Sequence, residues 1–339
     1  MAGTDPTARD RRLAGASRLL PPAAVARLAV RRIGPAGSAR LAAELPPRRA
    51  GALADRLPPA FLAELCAHLD TDAAARVVPR LADRTLLAVA AELAARGDHA
   101  VLAALVDAVP VPRLAAVQAA LDDAAMLLTG VHLTSAAQVG RLLDAVPAER
   151  LDRLIGAAAT GPPELLRAGL TVMARADADR KARLGDLAGA RPEAELGRLL
   201  TGALAQGVIP ELLDVVLHMG LPAQRRVLAL PELADRAVLA AMLDTATGEG
   251  LWERLLPLIR RMPPPTRAIL AAVVVELPDA ALAAALGTAR RTRQWPAVAA
   301  LVPHLGTAGV ARIARIAGRS AARGAARGAV RAAARGTAP

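Results

Sequence analysis

Leu-Pro-Pro occurs at 45–47 and again at 57–59, and the twelve-residue beat it sets continues after the prolines stop. The blocks read LAAELPPRRAGA from Leu41, LADRLPPAFLAE from Leu53, LCAHLDTDAAAR from Leu65 and VVPRLADRTLLA from Val77. Proline has no N–H and clashes with the preceding turn, so it is tolerated in the first helical turn but not in the interior. Each Leu-Pro-Pro is therefore a stop followed by a restart. Helices of about 8–10 residues do not persist alone in water. They hold only where neighbours bury their apolar sides, which is the logic of a solenoid. Asp70 is placed to cap the helix that begins near Thr71, and Asp83 the one near Arg84.

Composition narrows the fold class. A chain of 339 residues exceeds what a single core usually serves, so it forms two domains or an extended repeat array. It is 54% hydrophobic, yet its aromatic residues are Phe61, Trp252 and Trp295, so leucine, valine and alanine must fill the core. Alanine is the best helix former, and no alternating β-branched or aromatic run marks a strand. The expected fold is all-α: an α-solenoid or superhelix of short helices and helix pairs. The single Cys66 excludes an intramolecular disulfide framework and fits a reducing compartment. No apolar core of a signal peptide accompanies the N-terminal arginines. Uncharged stretches such as 124–140 fall short of the roughly 20 apolar residues of a membrane span. These features predict a cytoplasmic protein with no transmembrane segment.

Beyond residue 93 the period lengthens. HAVLAALVDAVP ends at Pro110 and AAQVGRLLDAVP at Pro147. VIPELLDVVLHM ends at Met219, LWERLLPLIRRM at Met262 and PAVAALVPHL at Leu305, at spacings of 43 residues. A polar loop precedes each such helix, and a second helix follows, as over 264–278. Two helices in about 37–45 residues is the scale of armadillo and HEAT repeats. The stretch 161–206 fits the pattern least. The chain thus divides into a basic N-terminus over 1–17, expected to be disordered, and a short-helix superhelical region over 18–93. A helix-pair repeat solenoid over 94–310 follows, and then an Arg-rich tail over 311–339, also expected to be disordered.

Over 41–93 the chain resembles the cytosolic N-terminal domain of MgtE-type magnesium transporters. That domain is a right-handed superhelix of short helices marked by recurring Leu-Pro-Pro-Glu or Leu-Asp-Pro-Glu steps. Leu45-Pro46-Pro47 and Leu57-Pro58-Pro59 match the step, and Leu69-Asp70-Thr71-Asp72 is a near match. The resemblance implies the superhelical fold. In the transporters a CBS pair and a membrane domain follow, and neither is recognisable here. The family's superhelix also offers acidic groups that help hold regulatory magnesium. Where the family favours Glu or Asp after the prolines, this chain has Arg48, Arg49, Ala60 and Phe61. What the resemblance carries over is the fold, with a regulatory link to magnesium homeostasis as its functional implication.

Residues able to do chemistry are scattered. No GxSxG, HExxH, P-loop or GxGxxG pattern occurs, so no catalytic, cofactor-binding or metal-binding residue is assigned. Cys66, His68, Asp70 and Asp72 bring ligand types together in sequence. Cys66 and His68, however, stand two apart and point to nearly opposite sides of a helix. A core cysteine, a surface histidine and a capping aspartate account for them. His68, His99, His132, His218 and His304 fall one per module, where helix-end roles fit. Trp252 and Trp295 begin helices 43 residues apart. They either plug the seams between modules or, on an exposed face, act as interaction anchors.

Charge collects at the two ends. Net charge is +7 over 1–60, −5 over 61–279 and +10 over 280–339, where ten arginines meet no acid. Among 43 basic residues the one lysine is Lys181, a bias that a GC-rich genome accounts for. In the tail Arg312, Arg315, Arg319, Arg323, Arg327, Arg331 and Arg335 recur at spacings of three and four, one ridge if helical. Like charges at i, i+4 repel, and Gly318, Gly324, Gly328 and Gly336 weaken a helix further. The tail is then either solvated or ordered by an anionic surface, nucleic-acid phosphates or lipid headgroups. The reading is a non-catalytic α-solenoid scaffold or adaptor that binds another protein and needs no cofactor. Trp252, Trp295 and the seven tail arginines are its candidate contact residues. The alternatives are an electrostatic nucleic-acid- or membrane-surface adaptor acting through the tail, or the link to magnesium homeostasis.

Overall fold

The computed structural model describes residues 21–319, and among them it holds helices and no strand. The fold is all-α and solenoid-like, as expected. The chain divides into two compact units, 1–157 with 175–177 and 158–174 with 178–339.

In the first unit the prolines act as stops and restarts. Pro46 and Pro58 are N-caps, and the helices Pro47–Ala54 and Pro59–Cys66 begin on the proline that follows. Asp70 caps Thr71–Val77 by accepting the Ala73 N–H at 2.6 Å. Asp83 does not cap. The helix Asp83–Ala95 starts on it, after Ala82, whose N–H donates to Asp55 Oδ1 at 3.0 Å. That hydrogen bond fixes the entry to the helix and leaves the Asp83 carboxylate to pair with Arg113 at 2.7 Å. The chain enters this unit through Pro22–Leu28 and a π-helical turn, Ala29–Ile33, for which the sequence offers no signal.

The short helices form two rows. Gly34–Glu44 packs on Pro59–Cys66, which packs on Asp83–Ala95; between them Pro22–Leu28 packs on Pro47–Ala54 and that on Thr71–Val77. Each helix thus touches those two places before and after it. Side chains such as Leu62, Leu65 and Leu93 are buried by this alternation, which supplies the stability no single helix has.

In the second unit the period is three helices. Glu193–Ala205, Arg236–Gly248 and Asp279–Arg291 are 13-residue helices that begin 43 residues apart. Between and after them run the pairs Ile209–His218 with Leu221–Leu228, Trp252–Ile259 with Pro264–Glu276, and Trp295–Ala299 with 307–319. The expected pair is present in each rung, and the 13-residue helix completes it. Its first copy lies in the stretch that fits the sequence pattern least. Leu277-Pro278 divides Pro264–Glu276 from Asp279–Arg291, the same stop and restart that opens the chain. Like packs on like: the 13-residue helices on one another, and Ile209–His218 on Trp252–Ile259 on Trp295–Ala299. Ala203, Ala246 and Ala289 are fully buried at equivalent positions, where a small side chain lets helices approach.

Candidate interaction surface

Many of the arginines are structural. Arg113 Nη2 donates to the Leu81 carbonyl at 2.8 Å and Nη1 to Pro79, while Nε pairs with Asp83. In the second unit Arg312 repeats the pattern on Val275, Leu277 and Asp279, again two carbonyls two residues apart and a carboxylate two further on. Arg150, buried, joins the Gln118 and Leu121 carbonyls to Asp123, and Arg226 joins those of Gly189 and Arg191. Each guanidinium staples one helix to the carbonyl end of a helix some thirty residues earlier, at roughly 30–37 positions' separation. The planar five-donor fork does what an ammonium cannot, so part of the arginine bias is architectural.

Four helices end in the same loop. Gly97, Gly207, Gly250 and Arg293 have φ of 75°, 66°, 70° and 57°. The next residue's N–H reaches the carbonyl five back: Asp98 to Leu93 (2.9 Å), Val208 to Ala203 (3.0 Å), Leu251 to Ala246 (2.8 Å) and Gln294 to Ala289 (2.7 Å). In this Schellman closure glycine avoids the steric cost of the left-handed region. The last three loops are 43 residues apart, so Arg293 stands where two glycines stand before it.

The chain after each of the last three loops carries apolar residues at i, i+4 and i+7. Ile209, Leu213 and Val216, and then Trp252, Leu256 and Ile259, are all at most 3% exposed. The helices that bear them pack on the following rung: Asp279–Arg291 and Trp295–Ala299 lie against Trp252–Ile259. In the last rung the equivalent stripe is Trp295, 43% exposed, Ala299, exposed, and Val302, 43% exposed. The preceding helix end and loop change with it. Thr247-Gly248-Glu249-Gly250 becomes Arg290-Arg291-Thr292-Arg293, and all three of these arginines are exposed. Trp252 is a buried seam plug, and Trp295, at the same place in the repeat, is an uncovered one.

No family model, curated protein or solved structure matches the chain.

The other candidate residues are distributed as follows. Arg312 is a staple, and Arg319 shares Asp279 with it at 3.1 Å. Those two cations hold the Asp279 carboxyl below its usual range. Arg315 is exposed, and Arg323, Arg327, Arg331 and Arg335 lie outside the described residues, as does the segment 1–17. Cys66 is half-buried, and burial pushes its thiol up to about 11; His68 is exposed, and Asp70 is engaged as a cap. Among the described residues no three His, Cys, Asp or Glu side chains gather as a metal site. His218 Nδ1 lies 2.7 Å from the Asp214 carbonyl in the last turn of its helix. A polar cleft of about 520 Å³ opens beside Gln118, Asp122, Asp123, Glu149, Arg150 and Arg153. Four of its charged groups are engaged in the fold: Asp122 caps Asp123–Val131, and Asp123 pairs with Arg150 and Arg153, while Glu149 is exposed. Among the described residues no helix is long and apolar enough to cross a membrane.

Sequence reading named Trp295 but missed its uncovered neighbours Ala299 and Val302 and the loop arginines. Aligning 209, 252 and 295 at the 43-residue period would have exposed them. The next 13-residue helix would fall at 322–334, where the leucine positions 282 and 286 become Ala325 and Ala329.

Proposed function

We propose that this protein is a non-catalytic α-solenoid adaptor that binds another protein through the open end of its second unit. One observation carries the reading: the Trp295, Ala299 and Val302 stripe is exposed, whereas its two earlier copies are buried on helices that pack against a following rung. Tryptophan beside arginine is the composition of interface hot spots. The staples support the non-catalytic part, since they commit charged side chains to backbone carbonyls. The half-buried free Cys66 and the lack of a spanning helix among the described residues are compatible with a cytoplasmic setting.

The test is affinity capture followed by mass spectrometry, with Trp295→Asp and Val302→Asp alongside the unaltered chain. The adaptor reading expects a partner whose recovery falls at least about tenfold in both variants while helical content is unchanged. Recovery insensitive to both substitutions would remove the open end from the function.

A second reading, electrostatic contact with nucleic acid or anionic lipid, draws on exposed Arg315 and the acid-free C-terminal sequence. It is weakened by Arg312 and Arg319, whose charges are already met by Asp279. The likeness of 41–93 to the magnesium-transporter domain supports a regulatory role in magnesium homeostasis at the level of fold alone.

A further inference from the structure

Resting on that adaptor reading, we infer that the partner segment seated on the open end is an acidic amphipathic helix, which docks as the next rung of the stack. The earlier rungs define the shape of what fits. Trp252, Leu256 and Ile259 are buried on a helix that packs against a 13-residue helix, Asp279–Arg291, whose buried Leu282 and Leu286 stand one turn apart, and against the following Trp295–Ala299. A helix with leucines at that spacing would cover Trp295, Ala299 and Val302 in the same way.

The in-register segment of the sequence lacks these leucines: residues 306–339 contain none, and 322–334 carries glycine or alanine where its predecessors carry leucine. Burying leucine rather than alanine removes more apolar surface from water, so a leucine-bearing partner is the stronger cover.

Charge selects the partner's sign. The loop ahead of the covered Trp252 contains Glu249 and no base, while the last helical turn and the loop ahead of uncovered Trp295 carry three exposed arginines. Asp279 is the last acid in the sequence, and Arg312 and Arg319 hold it. Residues 280–339 hold no Asp or Glu to neutralise Arg290, Arg291 and Arg293. A basic segment, whether from a partner, from a second copy's arginine-rich ends or from residues 320–339, meets like charge here. Glutamates on a docking helix meet opposite charge.

The chain has no tyrosine and two tryptophans, so fluorescence reports the site directly. In a Trp252→Phe chain, Trp295 is the sole indole. Should that variant unfold, the difference spectrum between the unaltered chain and Trp295→Phe reports the same residue. The probes are two synthetic 13-residue helices with leucines at the Leu282 and Leu286 spacing, one with glutamate and one with lysine at the remaining exposed positions. The expected result is a blue shift of Trp295 emission with the glutamate helix, at least about tenfold tighter than with the lysine helix. Arg290→Glu with Arg293→Glu should abolish that preference, and Val302→Asp should abolish binding of both. Equal affinity for the two helices would overturn the acidic occupant while leaving the adaptor reading standing. No shift with either would overturn both. Emission already blue-shifted in the free chain, and moved to the red by ending it at Arg319, would make residues 320–339 the occupant instead. A blue shift that grows with protein concentration alone would make it a second copy.

Discussion

Arg293 shows how one residue departs from its repeat. Its φ of 57° is shared with Gly207 at 66° and Gly250 at 70° in equivalent loops, but an L side chain meets a penalty of about 1–2 kcal/mol there. Arg293→Gly should therefore raise stability by about 1 kcal/mol, and Gly250→Ala should lower it by a similar amount, both read from urea midpoints. A stabilising Gly250→Ala would sink the assignment. His99 supplies a pH test. Burial first, and His132 second, lower its pKa against the pull of Asp122 and Asp98, and its Nδ1 lies 3.5 Å from Thr129 Oγ1. A depressed folded pKa means that the unfolded chain binds the proton more readily. Stability should then fall as pH drops below the unfolded value of about 6.5 and level off once the folded imidazole also protonates. His99→Gln should flatten that slope between neutral and mildly acidic pH, and an unchanged slope would assign the dependence elsewhere. At this scale the sequence was readable where chemistry is local, as in the Asp70 cap and the Pro47 and Pro59 starts. It misplaced a cap at Asp83, because the acceptor that fixes the start of that helix, Asp55, lies 27 residues away.

Elements here are held by their neighbours and by arginine forks. The short helices lack the length to persist alone, and the staples satisfy carbonyls that a helix end leaves open. Arg150 is the most deeply placed of those described above, joined to Gln118, Leu121 and Asp123. Arg150→Lys keeps the charge but offers one compact ammonium in place of a fork. It should strand at least one carbonyl and cost about 1–3 kcal/mol, measured by chemical denaturation. A neutral Arg150→Lys would show that charge, not geometry, does the work. Helix stops were legible because proline acts within its own turn. The rung of three was less so: Glu193–Ala205 begins after Pro192 with no side-chain cap, and its match to Arg236–Gly248 rests on Leu196, Leu200 and Ala203 recurring as Leu239, Leu243 and Ala246. Such a match appears only once the period is known. The arginine bias likewise looked compositional, because a staple's carbonyl partners leave no mark on the sequence.

At the scale of the whole chain, the repeat explains both the uniform interior and the asymmetric charge. Rung contacts run to the preceding and following rung, so stability should be approximately a sum of rung and interface contributions. Basic charge can then concentrate at the ends, with −5 over 61–279 and +10 over 280–339, without disturbing the stacked core. This arrangement makes the 43-residue period testable by insertion. A second copy of residues 250–292 placed after Thr292 preserves every loop, including the left-handed closure at Gly250 and the Trp252 plug. It also leaves Trp295, Ala299 and Val302 as the terminal stripe. The inserted chain should keep its helicity per residue, unfold at an equal or higher urea midpoint, and show a denaturant slope about one-eighth larger, in proportion to the added surface. The same copy shortened by four residues places each leucine about one helical turn early and moves the loop glycine off the helix end. It should lose stability or aggregate, because the stripes no longer meet the helices that bury them. Equal tolerance of both insertions would mean that loose apolar burial, and not a repeating rung, holds this unit together, and Trp295 would then owe its exposure to something other than the end of the stack.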